Sequence, residues 1–107
     1  MNQRTLDALG IPATKHGHWY IEYAVEISTA DRSLLLSITK RLYPEIAAHF
    51  HMSSQSVEQC IRYSIRQGWE TGNRQLFYDI AGYQLKSCPY ASEFIAMLVD
   101  YEGQMHS

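Results

Sequence analysis

Residues 43–69 read YPEIAAHFHMSSQSVEQCIRYSIRQGW, and their apolar spacing is that of two helices joined by a short turn. Ile46, Ala47 and Phe50 fall on one stripe; Val57, Cys60, Ile61, Ser64 and Ile65 fall on a second at three-and-four spacing. The pattern predicts a helix-turn-helix, with Met52 plugging the turn and the small Ala47 where the helices come closest. Ser53 is placed to cap the second helix by accepting from a first-turn N–H. That helix, about residues 54–70, then presents Ser54, Gln55, Ser56, Glu58, Gln59, Arg62, Tyr63 and Arg66 outward. Such polar groups reach base edges and phosphates when a helix lies in a major groove. Two amphipathic helices and a turn also occur in any small helical bundle, so the spacing alone fits a packing helix as well as a reading helix. The turn holds His51 where such motifs often carry glycine, and histidine tolerates a left-handed backbone better than a β-branched residue does.

Working outward, the 107 residues suffice for one domain with one core, spanning 1–107, and 46% are apolar without any run long enough to span a bilayer. A soluble globular chain is expected, with no membrane partner. Residues 1–9 are polar and lack the apolar core of a secretory signal, which predicts a cytoplasmic location. Cys60 on an inward helical position and Cys88 before Pro89 read as free thiols rather than a bridge. The net charge of −2 is low for a nucleic-acid binder, but residues 34–74 hold five basic against three acidic residues and the rest four against eight. The positive half coincides with the helix-turn-helix. An asymmetry of this size also arises on an ordinary solvated helical surface.

Along the chain, residues 2–9 predict a short helix with Leu6 and Leu9 on one side and Gly10 as its stop. Residues 18–27 predict a second, with Trp19, Tyr20, Tyr23, Ala24 and Ile27 inward, Trp19 as a core anchor, and Glu22 and Glu26 exposed. Asp31 or Ser33 caps a third stripe, Leu34, Leu35, Ile38 and Leu42, which runs into Pro44; there the helix either kinks or stops and restarts with the proline in a first turn. After the helix-turn-helix, with its i,i+4 pairs Glu58–Arg62 and Arg66–Glu70 and Gly72 past its end, Asn73 caps a short helix with Leu76, Phe77 and Ile80 inward and Gly82 as its stop. Residues 83–90 read as an extended connection or a short strand, and Ser92 caps a last helix through Phe94, Ile95, Met97, Leu98 and Tyr101, ended by Gly103. The fold class is all-α: a compact bundle of about six helices.

Little else in the chain suggests chemistry. His16 with His18, and His49 with His51, are two apart and do not share a helical face, and neither pair has the further ligands that structural zinc needs. No phosphate-binding loop, nucleophile elbow or zinc-protease motif occurs, so neither an enzyme nor a cofactor is expected. The eight tyrosines read as packing residues with wet hydroxyls.

The blocks GIPA (10–13), SITKRLYPEIAAHF (37–50), the VE..IR..I pattern (57–65), W.TGN (69–73) and SEFIAM (92–97) together resemble one family. It is the C-terminal effector domain of stage zero sporulation protein A, the response regulator that starts spore formation in Firmicutes. The resemblance covers nearly the whole chain in family order. It implies an all-helical bacterial effector domain that binds a short promoter element in double-stranded DNA, dimerises in tandem on it, and contacts the primary sigma factor of RNA polymerase. In the family a phosphorylated receiver domain precedes this part. The 107 residues hold none, and Met1 does not separate a stand-alone product from an excised piece.

The departures fall on the reading face. Where the family has S-R-V-E-R-A-I-R-H, this chain has Gln55-Ser56-Val57-Glu58-Gln59-Cys60-Ile61-Arg62-Tyr63: Glu58 and Arg62 match, two arginines are Ser56 and Gln59, and a histidine is Tyr63. Neither serine nor glutamine reproduces the bidentate fork by which arginine reads guanine. Two readings follow. One is a DNA-binding regulator with altered sequence preference, in which Gln55 or Gln59 reads adenine and Arg62 guanine or phosphate. The other is an interaction module of the same fold that has largely lost DNA binding and acts through dimer or sigma-factor contacts.

Overall fold

Pro44 sets the path of the chain's middle third. It has no N–H, and its ring collides with the carbonyl four residues back in a regular helix. In this computed structural model, which describes residues 3–105, the stripe before it is accordingly not one helix but a 3-10 turn, Arg32–Leu36, followed by a π-helical turn, Ile38–Leu42. The N–H groups of Arg41 and Leu42 both point to the Ser37 carbonyl, at 2.9 and 3.1 Å, and Tyr43 N–H bonds Ile38. A widened turn lets the chain pass a proline while keeping its direction, and the α-helix restarts with Pro44 in its first turn. Of the two candidate caps Asp31 serves, accepting from Ser33 N–H at 3.1 Å. These Ser33 bonds, and then the Arg41 guanidinium, hold the Asp31 carboxyl below its usual range. Leu34 and Leu42 are buried by this path, while Leu36 is left 87% exposed.

The six α-helices are α1 Gln3–Ala8, α2 His16–Ala30, α3 Tyr43–Phe50, α4 Ser54–Thr71, α5 Arg74–Ala81 and α6 Ala91–Met105, with no strand among the described residues. The all-α bundle is as expected. The predicted start of α1 at Asn2 lies outside the described residues. Helices α2, α4 and α6 pack on one another, α3 lies on α4, and α5 bridges α4 and α6. The Cα radius of gyration, 12.6 Å, is that of a close-packed chain of this length.

The inward face of α2 differs from the predicted one because of Gly17. A Cβ there would meet the Ser64 side chain and stand 2.7 Å from the Cys60 carbonyl, so this glycine lets the start of α2 press on the backbone of α4. The rotation that follows buries His18, Tyr20, Ile21, Ala24, Val25 and Ser28. Trp19 is no core anchor: it is 36% exposed, and its indole N–H donates to the Ala13 carbonyl at 2.8 Å. Glu26 is exposed as expected, but Glu22 is half-buried, with its Oε2 3.6 Å from Nε2 of the fully buried His18. His18 Nδ1–H donates to the Ile11 carbonyl at 2.8 Å, tying the 10–13 loop to α2.

That loop crosses the far end of α4. Gly10 has φ +91°, and a Cβ on it would stand 2.8 Å from the Gly72 Cα and 3.3 Å from the Gly68 Cα. Only a residue without a side chain fits both that torsion and that gap. The sequence blocks 10–13 and 69–73 are thus the two sides of one contact.

Asn73 caps α5 as expected, accepting from Leu76 N–H at 3.1 Å, and Gly82 ends it in the left-handed region at φ +85°. The last helix departs from expectation at both ends. It begins at Ala91, so Ser92 lies inside its first turn, and the Tyr90 N–H is accepted by the Glu93 carboxylate at 3.2 Å. Gly103 does not stop it, and Val99 joins Phe94, Ile95 and Leu98 in the core. The 83–90 connection forms no strand, yet Leu85 and Pro89 are buried beneath it. Three tyrosines, Tyr63, Tyr83 and Tyr90, stand well out in solvent rather than packing.

Candidate nucleic-acid interface

The turn between α3 and α4 is built on a strained residue. His51 adopts φ 59°, ψ 45°, and its N–H and that of Met52 both return to the Ala47 carbonyl. A non-glycine residue in the left-handed region costs roughly 1–2 kcal/mol, offset here by the two bonds that close the end of α3. Met52 does not plug the turn. It is 42% exposed, following directly on the left-handed step at His51.

Ser53 caps α4 as its spacing predicts, accepting from Ser56 N–H at 3.1 Å while its hydroxyl lies 2.9 Å from the Ser56 hydroxyl. Ser53→Ala is therefore expected to lower stability by about 1 kcal/mol and to fray the first turn of α4. Urea melts with amide exchange at residues 55–57 measure both.

Val57, Ile61, Ser64 and Ile65 form the buried stripe of α4, with Cys60 only half-buried at its edge. Both cysteines are free. Of the predicted outward set, Gln55, Gln59, Arg62, Tyr63 and Arg66 are exposed, whereas Ser54, Ser56 and Glu58 are half-buried. Glu58 with Arg62 and Arg66 with Glu70 form the expected i,i+4 pairs, at 3.7 and 3.9 Å. These are long, solvent-screened pairs, and both guanidinium groups can turn to another anion at little cost. The Tyr43 hydroxyl sits beside the first pair. Burial pushes its pKa up, Glu58 adds to that, and Arg62 opposes it.

The positive charge of the region is unevenly available. Arg41 bonds Asp31 at 3.2 Å, and Arg74 lies over the Trp69 ring at 3.9 Å while donating to its carbonyl. Arg62 and Arg66 remain on the outer face of α4. The histidines of the two pairs do other work: His49 stacks on Tyr23 at 3.9 Å, and no three His, Cys, Asp or Glu side chains cluster for a metal among the described residues.

Beside that face runs an open groove, about 640 Å³ in volume. Glu58, Gln59, Arg62, Tyr63 and Arg66 form one wall; Ile38, Thr39 and Tyr43 close one side, and residues 88–92 the other. Sequence reasoning missed Thr39, Tyr43, Tyr90 and Ser92 here. Nothing in their local spacing marks them, because α6 and the π turn reach α4 only through tertiary packing.

One protein-family model, described as sporulation initiation factor Spo0A C terminal, matches residues 3–101. The chain belongs to this family. The match spans α3 and α4, whose arrangement fits a helix-turn-helix, and the irregular turns before Pro44. The positions at which this Spo0A C-terminal domain departs from the pattern quoted above separate in space: Gln59 and Tyr63 are exposed on α4, while Ser56 is turned toward Ser53. Among the described residues no helix is long and apolar enough to cross a membrane.

Proposed function

We propose that this chain is a non-enzymatic cytoplasmic transcription regulator, one effector unit over its 107 residues, that places α4 in the major groove of a promoter element with a sequence preference shifted from its family's. The observation that carries this reading is the polar face of α4, interrupted only by Tyr63, where Gln55, Gln59, Arg62 and Arg66 are exposed beside a closed turn. Gln55 and Gln59 have the amide chemistry that pairs with adenine, and Arg62 that for guanine or phosphate. Ser54, Ser56 and Glu58 flank them, and Tyr63 adds an aromatic surface for a thymine methyl. A homodimer on DNA and a contact with the primary sigma factor complete the proposal. The second reading, an interaction module with little DNA affinity, is favoured by the charge distribution, since Arg41 and Arg74 are engaged internally.

A salt titration of binding to a pooled random duplex, followed by selection, separates the two. DNA readout gives affinity that falls steeply with salt and an enriched motif. Absence of binding at low salt leaves the interaction module. Arg62→Ala is expected to weaken binding to the selected site roughly five- to hundredfold, from loss of ~1–3 kcal/mol of base contact, with an unchanged circular dichroism spectrum. Unchanged affinity in this variant would remove α4, as docked, from the account.

A further inference from the structure

The groove beside α4 has the features of a channel for a phosphodiester strand. One wall carries the Arg62 and Arg66 side chains, each 68% exposed and each held only by a long ion pair. Across from them the lining is hydroxyl-rich, with Thr39 on the π turn and Tyr90 and Ser92 at the start of α6, all exposed. Glu58 is the one carboxylate among the lining residues, and it lies on the Arg62 side, already paired. Hydroxyls and guanidinium groups are the side chains that bond phosphate oxygens without reading sequence. The groove is lined on the α4 side by residues assigned to base contact, Gln59, Arg62 and Tyr63, so a strand leaving the major groove beside α4 can pass into it.

The geometry points to this groove, between α4, the π turn and the start of α6, as the seat of one DNA backbone strand, with Thr39, Tyr90 and Ser92 as phosphate contacts. The inference rests on the DNA-binding reading above and extends its contact surface to two elements outside the helix-turn-helix. These residues position the duplex; they do not select its sequence. Their loss therefore lowers affinity uniformly across sites, whereas changes at Gln59 or Arg62 alter which site is chosen.

The test places a carboxylate in the path of the phosphates. Thr39→Glu and Ser92→Glu are both surface changes, and a glutamate in the first turn of α6 suits the helix dipole, so folding is retained. Each is expected to reduce affinity for a duplex selected with the wild-type chain by about tenfold in 0.1 M salt, leaving the ranking of single-base variants of that duplex unchanged. Gln84→Glu, exposed in the 83–90 connection away from the groove, is expected to stay within about twofold. Ethylation interference on the wild-type chain, which needs no variant, is expected to mark phosphates flanking the base pairs that α4 reads. Wild-type binding with neither glutamate effect nor flanking phosphates marked would overturn the groove while sparing α4 as the reader. No duplex binding by the wild type in any salt overturns the DNA reading itself, and the groove with it.

Discussion

Phe77→Ala is expected to lower the unfolding free energy by about 3–5 kcal/mol. Phe77 is completely buried on α5. Its ring meets Trp69 of α4 edge-on at 5.4 Å and Phe94 of α6 at 5.5 Å, so it joins three helices at one point. Truncation removes both ring contacts and leaves a cavity between the Trp69 and Phe94 rings. Domains of this size are stable by ~5–15 kcal/mol, so roughly a fifth or more of the total is at stake. Urea denaturation followed by tryptophan fluorescence reads the change directly, since Trp69 is one of the two lost partners. A loss under about 1 kcal/mol would mean that α5 and α6 close over the gap and that the three helices are less tightly joined than their ring geometry implies.

Gly10→Val is expected to be nearly as costly, about 3 kcal/mol or more, by a different route. Two penalties combine: a β-branched residue is forced to φ +91°, and its Cβ is driven to within 2.8 Å of the Gly72 backbone. Gly82 separates them, because its φ is +85° but nothing lies within 4 Å of an added Cβ. Gly82→Val should therefore show the torsional cost alone, roughly 1–2 kcal/mol, and the excess in Gly10→Val measures the close approach. Thermal melts of both variants against wild type provide the comparison. Equal losses would show that the 10–13 loop yields and that the gap is not rigid.

The helix-turn-helix could be read in the sequence because every signal for it is local. The stripe Val57, Ile61, Ser64 and Ile65 repeats at helical spacing, Ser53 and Asn73 stand one residue before their helices, and the Glu58–Arg62 pair needs only a helix to form. His51 in the left-handed region follows equally from the missing glycine. The misplacements have a common origin in backbone contacts that no residue pattern announces. Trp19 looked inward by periodicity, but the phase of α2 is set by Gly17 on α4. Ser92 looked like a cap, but the carboxylate of Glu93 closes the turn two residues earlier, at Tyr90. Gly103 resembled a stop because glycine often is one, yet it has nothing around it to make helix continuation costly. Of the candidate interface, the α4 residues came from sequence and the opposite wall did not. Thr39, Tyr90 and Ser92 are separated from α4 by a proline-driven irregular turn and by the 83–90 connection, and only the packed bundle brings them alongside.

The glycine contacts on α4 also fix its rotational phase. Gly17 meets α4 at Cys60 and Ser64, and Gly10 meets it at Gly68 and Gly72, positions four apart along a single ridge. Such a ridge runs roughly 18 Å along the axis at 1.5 Å per residue. Turning the helix by one residue, about 100°, swings bulkier neighbours toward gaps that admit no Cβ. The angular heading of Gln59, Arg62 and Tyr63 is thus keyed to the bundle from behind. Substitutions on the outer face can change what α4 says to a partner without changing the direction in which it speaks.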